Sequence, residues 1–247
     1  RGQEHRARIM FSSVCYFAGA SSIILGGILF FSTESLAYAL GANEEIHNYV
    51  VEYLHVTFLG ACIIVLHPLL DVFAINDKRP ILAMVAMIVG AASNIVLNYL
   101  FLFVFKLGIT GSALATILGH GIGMCILLSH FILKQGKIYF IKIFKIKSIF
   151  ASMRNGLPQS FAELSVSAVM LLFNRTLKTL GGTDALSIYS ILMYSGIVVF
   201  TVILSCAQGV QPIASFNYGA REYGRVKKIY FFVLVFATLS GLVLYVF

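Results

Sequence analysis

The chain has 247 residues, 59% hydrophobic and 11% charged, with a formal net charge of +8 and a mean hydropathy of +0.91. A soluble domain carries about a quarter charged residues, so these charges cannot cover a water-facing surface and a soluble globular class is excluded. The basic residues fall in short blocks between apolar runs, which is how membrane topology is written, and no nucleic-acid partner is expected.

Hydrocarbon about 30 Å thick takes about twenty helical residues to cross. Long apolar runs, rather than strict alternation, favour helices over a barrel. Spans are predicted at about 9–31, 53–75, 81–105, 107–133, 156–177, 185–210 and from about 229 to the end. The expected fold class is therefore an all-α membrane protein, a polytopic bundle of about seven transmembrane helices. The first run is too long for a signal peptide and lacks a small-residue cleavage site. The chain starts at Arg1 and stops at Phe247 inside an apolar run, so truncation at both ends is expected.

With the N-terminal stub placed in the cytoplasm, fifteen of the 18 Lys and Arg residues fall on inner segments, leaving Lys106, Arg175 and Lys178 outside. The first outer loop holds Glu34, Glu44 and Glu45 and no basic residue. Such alternation is the positive-inside pattern.

Several spans carry polar residues. His67 and Asp71 stand at i and i+4 on the second, around Pro68, where a kink is expected; two ligands are too few for a metal, so a local pair or a gate contact is expected. Asn94 and Asn98 share one face of the third span, and Thr116 lies on the fourth; their oxygens suit a Na⁺ ion or simple helix–helix bonding. His120 and His130 read as lone packing histidines, and Gly26, Gly27, Gly119, Gly121 and Gly123 as points of close helix approach. The run at 119–123 is no phosphate loop, since neither a strand nor a Lys-Ser/Thr pair accompanies it. Cys15, Cys62, Cys125 and Cys206 sit in separate apolar runs with no metal-ligand spacing and read as small buried hydrophobes.

Residues 137–155 interleave lysines with bulky apolar side chains and are too charged to span. A basic amphipathic helix in the headgroup layer is expected there, linking residues 1–136, with four spans, to 156–247, with three. Arg6-Ala7-Arg8 and Arg225-Val226-Lys227 both precede an apolar run and stand 219 residues apart, as parallel repeats of six helices would place them. Glu163, on the fifth span after Pro158, is the one carboxylate well inside a predicted span, and a buried charge there is a functional hypothesis by default. Burial favours its neutral form unless a cation joins it, so it suits exchange of a proton for a cation.

Three stretches resemble the MATE (multidrug and toxic compound extrusion) family in its bacterial multidrug branch. They are Gln211-Pro212 with Ser215-Phe216-Asn217-Tyr218-Gly219-Ala220 and Arg225-Val226-Lys227-Lys228; Gly156-Leu157-Pro158 with Ala162-Glu163-Leu164-Ser165; and Asn76-Asp77-Lys78-Arg79-Pro80 leading to Gly108-Ile109-Thr110-Gly111-Ser112-Ala113-Leu114-Ala115-Thr116. The resemblance implies a two-lobed, twelve-helix transporter of the bacterial cytoplasmic (inner) membrane, covered here from the third helix of one lobe to the third of the other. It implies a non-enzymatic antiporter exporting amphiphilic, mostly cationic compounds for Na⁺ or H⁺, acting as a monomer in the lipid bilayer without a further cofactor. Glu163 would match the second-lobe coupling acid and Asn94, Asn98 and Thr116 a first-lobe cation site. Relatives often carry Asp where Asn98 stands, and an amide takes up no proton at physiological pH. Tyr194 and Met193 are candidate substrate contacts through adaptable apolar surface. A lipid-linked oligosaccharide flippase would favour basic cavity residues, which the spans lack away from their ends. A membrane-embedded transferase would show paired aspartates or a loop His-Asp motif.

Overall fold

Hydrocarbon offers no partner for backbone N–H and C=O groups, and a helix satisfies them within its own segment. The computed structural model describes residues 2–42 and 44–246, and its helices are α1 (Gly2–Phe31), α2 (Thr33–Ala39), α3 (Glu44–Leu59), α4 (Ala61–Asn76), α5 (Pro80–Tyr99), α6 (Gly108–Ile132), α7 (Ile146–Gly219) and α8 (Tyr223–Val246). A π-helical turn, Leu100–Val104, extends α5. Among the described residues, six segments are long and apolar enough to cross a membrane, and α3 with α4, bent by 56° at their junction, make up a seventh if the bent pair is one span. The bend falls at Gly60, where a Cβ would run into the Ile117 side chain; α4 continues through Pro68.

Two of these spans lie within α7. Gly182 there adopts φ 66° and ψ −156°, a left-handed conformation that only glycine enters at little cost. It separates the spans Ile146–Leu177 and Ile188–Gly219, and the Phe173 and Tyr189 rings stack across the break at 5.7 Å. Basic residues close other helices: Lys78, Lys106, Lys134 and Arg221 all have positive φ. Each places a cation beside the negative end of a helix dipole, and the next N–H reaches back into the last turn, as Arg79 N does to Ala74 O at 2.9 Å and Gln135 N to His130 O at 3.1 Å.

The chain divides into two compact units, Arg1–Val166 and Ser167–Phe247. The core of the first gathers Phe11 and Cys15 of α1, Leu70 and Ala74 of α4, Ala83 and Ala86 of α5, and Leu127 and Phe131 of α6. Phe11 is its hub, with ring centroids 4.6 Å from Phe131, 4.7 Å from Phe140 and 4.9 Å from Phe73.

Phe140 belongs to a segment whose structure differs from the expected amphipathic helix over 137–155. Residues 137–145 are irregular, and helix begins only at Ile146, continuing straight into the next span. Side chains of other elements capture the N–H groups that a helix would need. Asp77 Oδ1 accepts from Lys137 N at 3.0 Å and Ile138 N at 3.1 Å, Ser12 Oγ from Ile141 N at 2.9 Å, and Ser13 Oγ from Lys145 N at 2.9 Å. The segment is thus a strap bound along α1. Arg8 donates to Lys137 O at 2.8 Å and lies 4.0 Å over the Tyr139 ring. Glu4 accepts from Lys137 Nζ at 2.7 Å, and this bond and charge hold the Lys137 ammonium above the usual lysine range.

Asp77 anchors the strap, since its other oxygen meets His130 Nε2 at 2.9 Å with both side chains buried. Removing the carboxylate strands the buried His130 nitrogen, a loss of about 1–3 kcal/mol before the strap bonds are counted. Asp77→Ala in the intact protein is therefore expected to speed trypsin cleavage after Lys137, Lys142 or Lys145 several-fold. Cleavage at the wild-type rate would show that the strap does not depend on Asp77.

Candidate functional site

Glycines let α5 and α6 meet backbone to backbone. A Cβ on Gly119 would sit 2.9 Å from Gly90 O and 2.8 Å from Asn94 Cβ, and one on Gly123 would lie 3.0 Å from Ala86 O and collide with His67 Nε2. Small residues at such crossings are how membrane helices approach closely without a hydrophobic drive between them. Polar side chains of α4, α5 and α6 are thereby brought to one place.

That place is a cavity of about 470 Å³ lined by His67, Met87, Gly90, Ala91, Asn94, Ile95, Thr116, Gly119 and His120. Its size is in the range of small-molecule sites. On its wall Asn94 Nδ2 donates to Thr116 Oγ1 at 3.4 Å, while the Thr116 hydroxyl donates to Ser112 O at 3.0 Å. Across from them, His67 Nδ1 and His120 Nδ1 are 3.0 Å apart. The amide and hydroxyl oxygens are neutral donors suited to an alkali cation. Among the described residues, no cluster of three or more His, Cys, Asp or Glu is placed to hold a metal ion.

The residues singled out in the sequence are placed unevenly. Asn94 and Thr116 come together across α5 and α6. Asn98, one turn on, donates to Asn94 O at 3.0 Å and is not among the lining residues. Glu163 accepts a hydrogen bond from Gln159 Nε2 at 3.0 Å. It is exposed in this chain rather than buried, and no residue in the most apolar stretch of its span, Ile146–Leu177, is buried. In the second unit Tyr194 is 70% exposed and Met193 partly covered.

The pairing of His67 with His120 escaped the sequence reading, which treated them as a local pair with Asp71 and a lone packing residue. A signal was present. His67 and His120 are separated by 53 residues, as are Asp77 and His130, so α4 and α6 run parallel in one register and two polar pairs fall at a constant offset.

A family model described as MatE matches residues 1–100 and 158–247. The multidrug export protein MepA of Staphylococcus saprophyticus is 26% identical over 232 residues, covering 87% of this chain and 49% of that protein. MepA of Staphylococcus haemolyticus is 27% identical over 213 residues, covering 83% of this chain and 47% of its own length. The outward-facing conformation of a multidrug resistance MATE family transporter of the MOP superfamily aligns with a TM-score of 0.78 at 23% identity, over 96% of this chain and 56% of that one. The chain thus spans about half the length of the curated relatives it matches.

The glycine seam is testable by stability. Gly119→Leu forces α5 and α6 apart and is expected to cost about 1–3 kcal/mol, whereas Thr116→Val loses one interhelical hydrogen bond worth about 0.6 kcal/mol. Thermal melts of the detergent-solubilised protein should rank them in that order; equal losses would mean that the backbone contact does not set the packing.

Proposed function

We propose, from the premise that this chain belongs to the MatE family of multidrug and toxic compound extrusion transporters, that the intact protein is a secondary antiporter exporting amphiphilic, mostly cationic compounds in exchange for Na⁺ or H⁺. The family consists of multi-pass membrane transporters, not enzymes, and this chain has the helices to be one. The observation that carries the antiport reading is the cavity in the first unit, where Asn94 and Thr116 present neutral oxygens between closely packed helices.

In this reading a cation held near Asn94, Asn98 and Thr116 shifts the balance between inward- and outward-open states, and drug shifts it back. Differential affinity for the two states supplies the coupling. Glu163 is the second element, an acid on a membrane span whose neutralisation by cation or proton is linked to cavity orientation; further helices of the intact protein would enclose it. Tyr194 and Met193 would contribute adaptable apolar contacts to the substrate. The protein would act as a monomer in a bacterial cell membrane, with the N-terminal stub on the cytoplasmic side, because fifteen of 18 Lys and Arg residues then lie inside.

Efflux of a fluorescent organic cation by the full-length protein tests this. Glu163→Gln is expected to lower efflux about tenfold, the effect of losing about 1.4 kcal/mol of coupling, and comparison of Na⁺-containing with Na⁺-free buffers under a pH gradient names the ion. Wild-type efflux in the variant would remove Glu163 from the mechanism.

A further inference from the structure

We propose that a cleft beneath the strap, between α1, α4 and α6, binds one anionic phospholipid, with part of an acyl chain in the cleft and the headgroup phosphate on Lys142 and Lys145. The site is separate from the Asn94–Thr116 cavity and stands whether or not the antiporter reading does.

The cleft has a volume of about 290 Å³, and its walls include Tyr16 and Gly19 of α1, Leu66 and Leu70 of α4, Leu128 of α6 and Phe140 of the strap. It is smaller than the sites that take drug-sized molecules, and its walls are those of a hydrocarbon site. Its only hydroxyl, on Tyr16, is turned to the strap, where it donates to Ile141 O at 3.4 Å. Gly19 serves no tight crossing, unlike Gly119. A Cβ there would lie 3.8 Å from Leu66 Cδ1, an ordinary contact distance, so the missing side chain leaves room for a ligand rather than for a neighbouring helix. Tyr16 is exposed and Leu66 and Leu128 are half-buried, which leaves the cleft open along its side.

The strap supplies the rim and the charge. Phe140 stacks on Tyr16 with ring centroids 6.0 Å apart, and Ser12 and Ser13, one helical turn before Tyr16, hold the amides of Ile141 and Lys145. Both lysines are therefore pinned close to the mouth. Other cations nearby are already engaged. Arg8 and Lys134 lie over the Tyr139 ring, at 4.0 and 5.2 Å, and Lys137 is paired with Glu4. Lys142 and Lys145 are exposed, and among the described residues no carboxylate pairs with either. Nor does the sequence place an acid near them, since residues 78–162 contain no Asp or Glu.

The two halves of the site point to one occupant. A free phosphate would satisfy the lysines and leave the cleft empty, whereas a neutral lipid would fill the cleft and leave the lysines unmatched. Exposed Ile143, Phe144 and Phe150 interleave with the lysines, which is the chemistry of a segment seated in the headgroup layer. Basic pockets between membrane helices at that level take anionic headgroups, and the long lysine stems reach them along apolar surface.

Native mass spectrometry of the full-length protein, titrated in detergent with dioleoylphosphatidylglycerol or dioleoylphosphatidylcholine, tests both halves. Wild type is expected to retain one phosphatidylglycerol at least several-fold more tightly than phosphatidylcholine. Lys142→Gln with Lys145→Gln is expected to weaken phosphatidylglycerol about tenfold, through loss of two surface cations, and to leave phosphatidylcholine within about twofold. Gly19→Leu, which fills the cleft, is expected to weaken both lipids several-fold. Glycerol 3-phosphate, the headgroup chemistry without chains, is expected not to displace the bound lipid. Equal retention of the two lipids by wild type overturns the proposal, as does unchanged phosphatidylglycerol binding in the lysine variant. Unchanged binding in Gly19→Leu overturns it by showing that the chain lies elsewhere or that another helix fills the cleft, and displacement by glycerol 3-phosphate by showing a site for free anions. The replaced lysine side chains are exposed and make no hydrogen bond that holds the fold, so the lysine arm decides even if Gly19→Leu fails to fold.

Discussion

Backbone contact between α5 and α6 sets the spacing of everything built around it. Helices with ordinary side chains at their crossing pack about 8–10 Å apart, and the absence of a Cβ at Gly90 and Gly119 lets this pair come closer. The Asn94–Thr116 bond, at 3.4 Å, is already near the limit for a hydrogen bond, so even a methyl group at the crossing would break it. Gly123 does the same on the α4 side by leaving room for His67. The polar cavity is a consequence of these small residues, not a feature added to a finished bundle.

The first unit is fastened at a second level by the strap over 137–145. Asp77, at the end of α4, holds His130 at the end of α6 and two strap amides, while Ser12 and Ser13 hold two more. Because α4 and α6 run parallel at a fixed offset, the Asp77–His130 pair and the His67–His120 pair are equivalent levels of one helix interface. One level anchors the connection that leads into α7, and the other faces the cavity. A movement of α4 against α6 would be felt at both levels.

The spans were readable in the sequence because bilayer thickness imposes a length that any apolar run must meet, and the charge alternation checks the division independently. The bend in the second span was expected at Pro68 and is found at Gly60, because a hydrophobicity pattern cannot reveal that Ile117 of α6 presses on that residue. The strap was misread for a similar reason. Residues 137–155 have a helical pattern of charge and bulk, yet Asp77, Ser12 and Ser13 capture the amides, and these lie far away in sequence. Asn94 with Thr116 was legible from residue type and resemblance. His67 with His120 was overlooked, since each looks ordinary alone and only the parallel register, reflected in the 53-residue offset shared with Asp77 and His130, joins them. Glu163 stood out as a charge in an apolar run, which speaks to cost and leaves its neighbours unspecified.

The central claim is that the cavity between α4, α5 and α6 is a water-accessible site for the coupling cation, whose exposure changes when the exported compound binds. Ala91 lies on its wall, and Ala91→Cys in the full-length protein, with Cys15, Cys62, Cys125 and Cys206 replaced by serine or alanine, places a reporter there. The rate at which a membrane-impermeant thiol reagent modifies that residue in intact cells, with and without a transported organic cation, tests the claim most directly. The account expects measurable modification, slowed several-fold by the cation. A thiol that never reacts, or one that reacts at the same rate with the cation present, would contradict it.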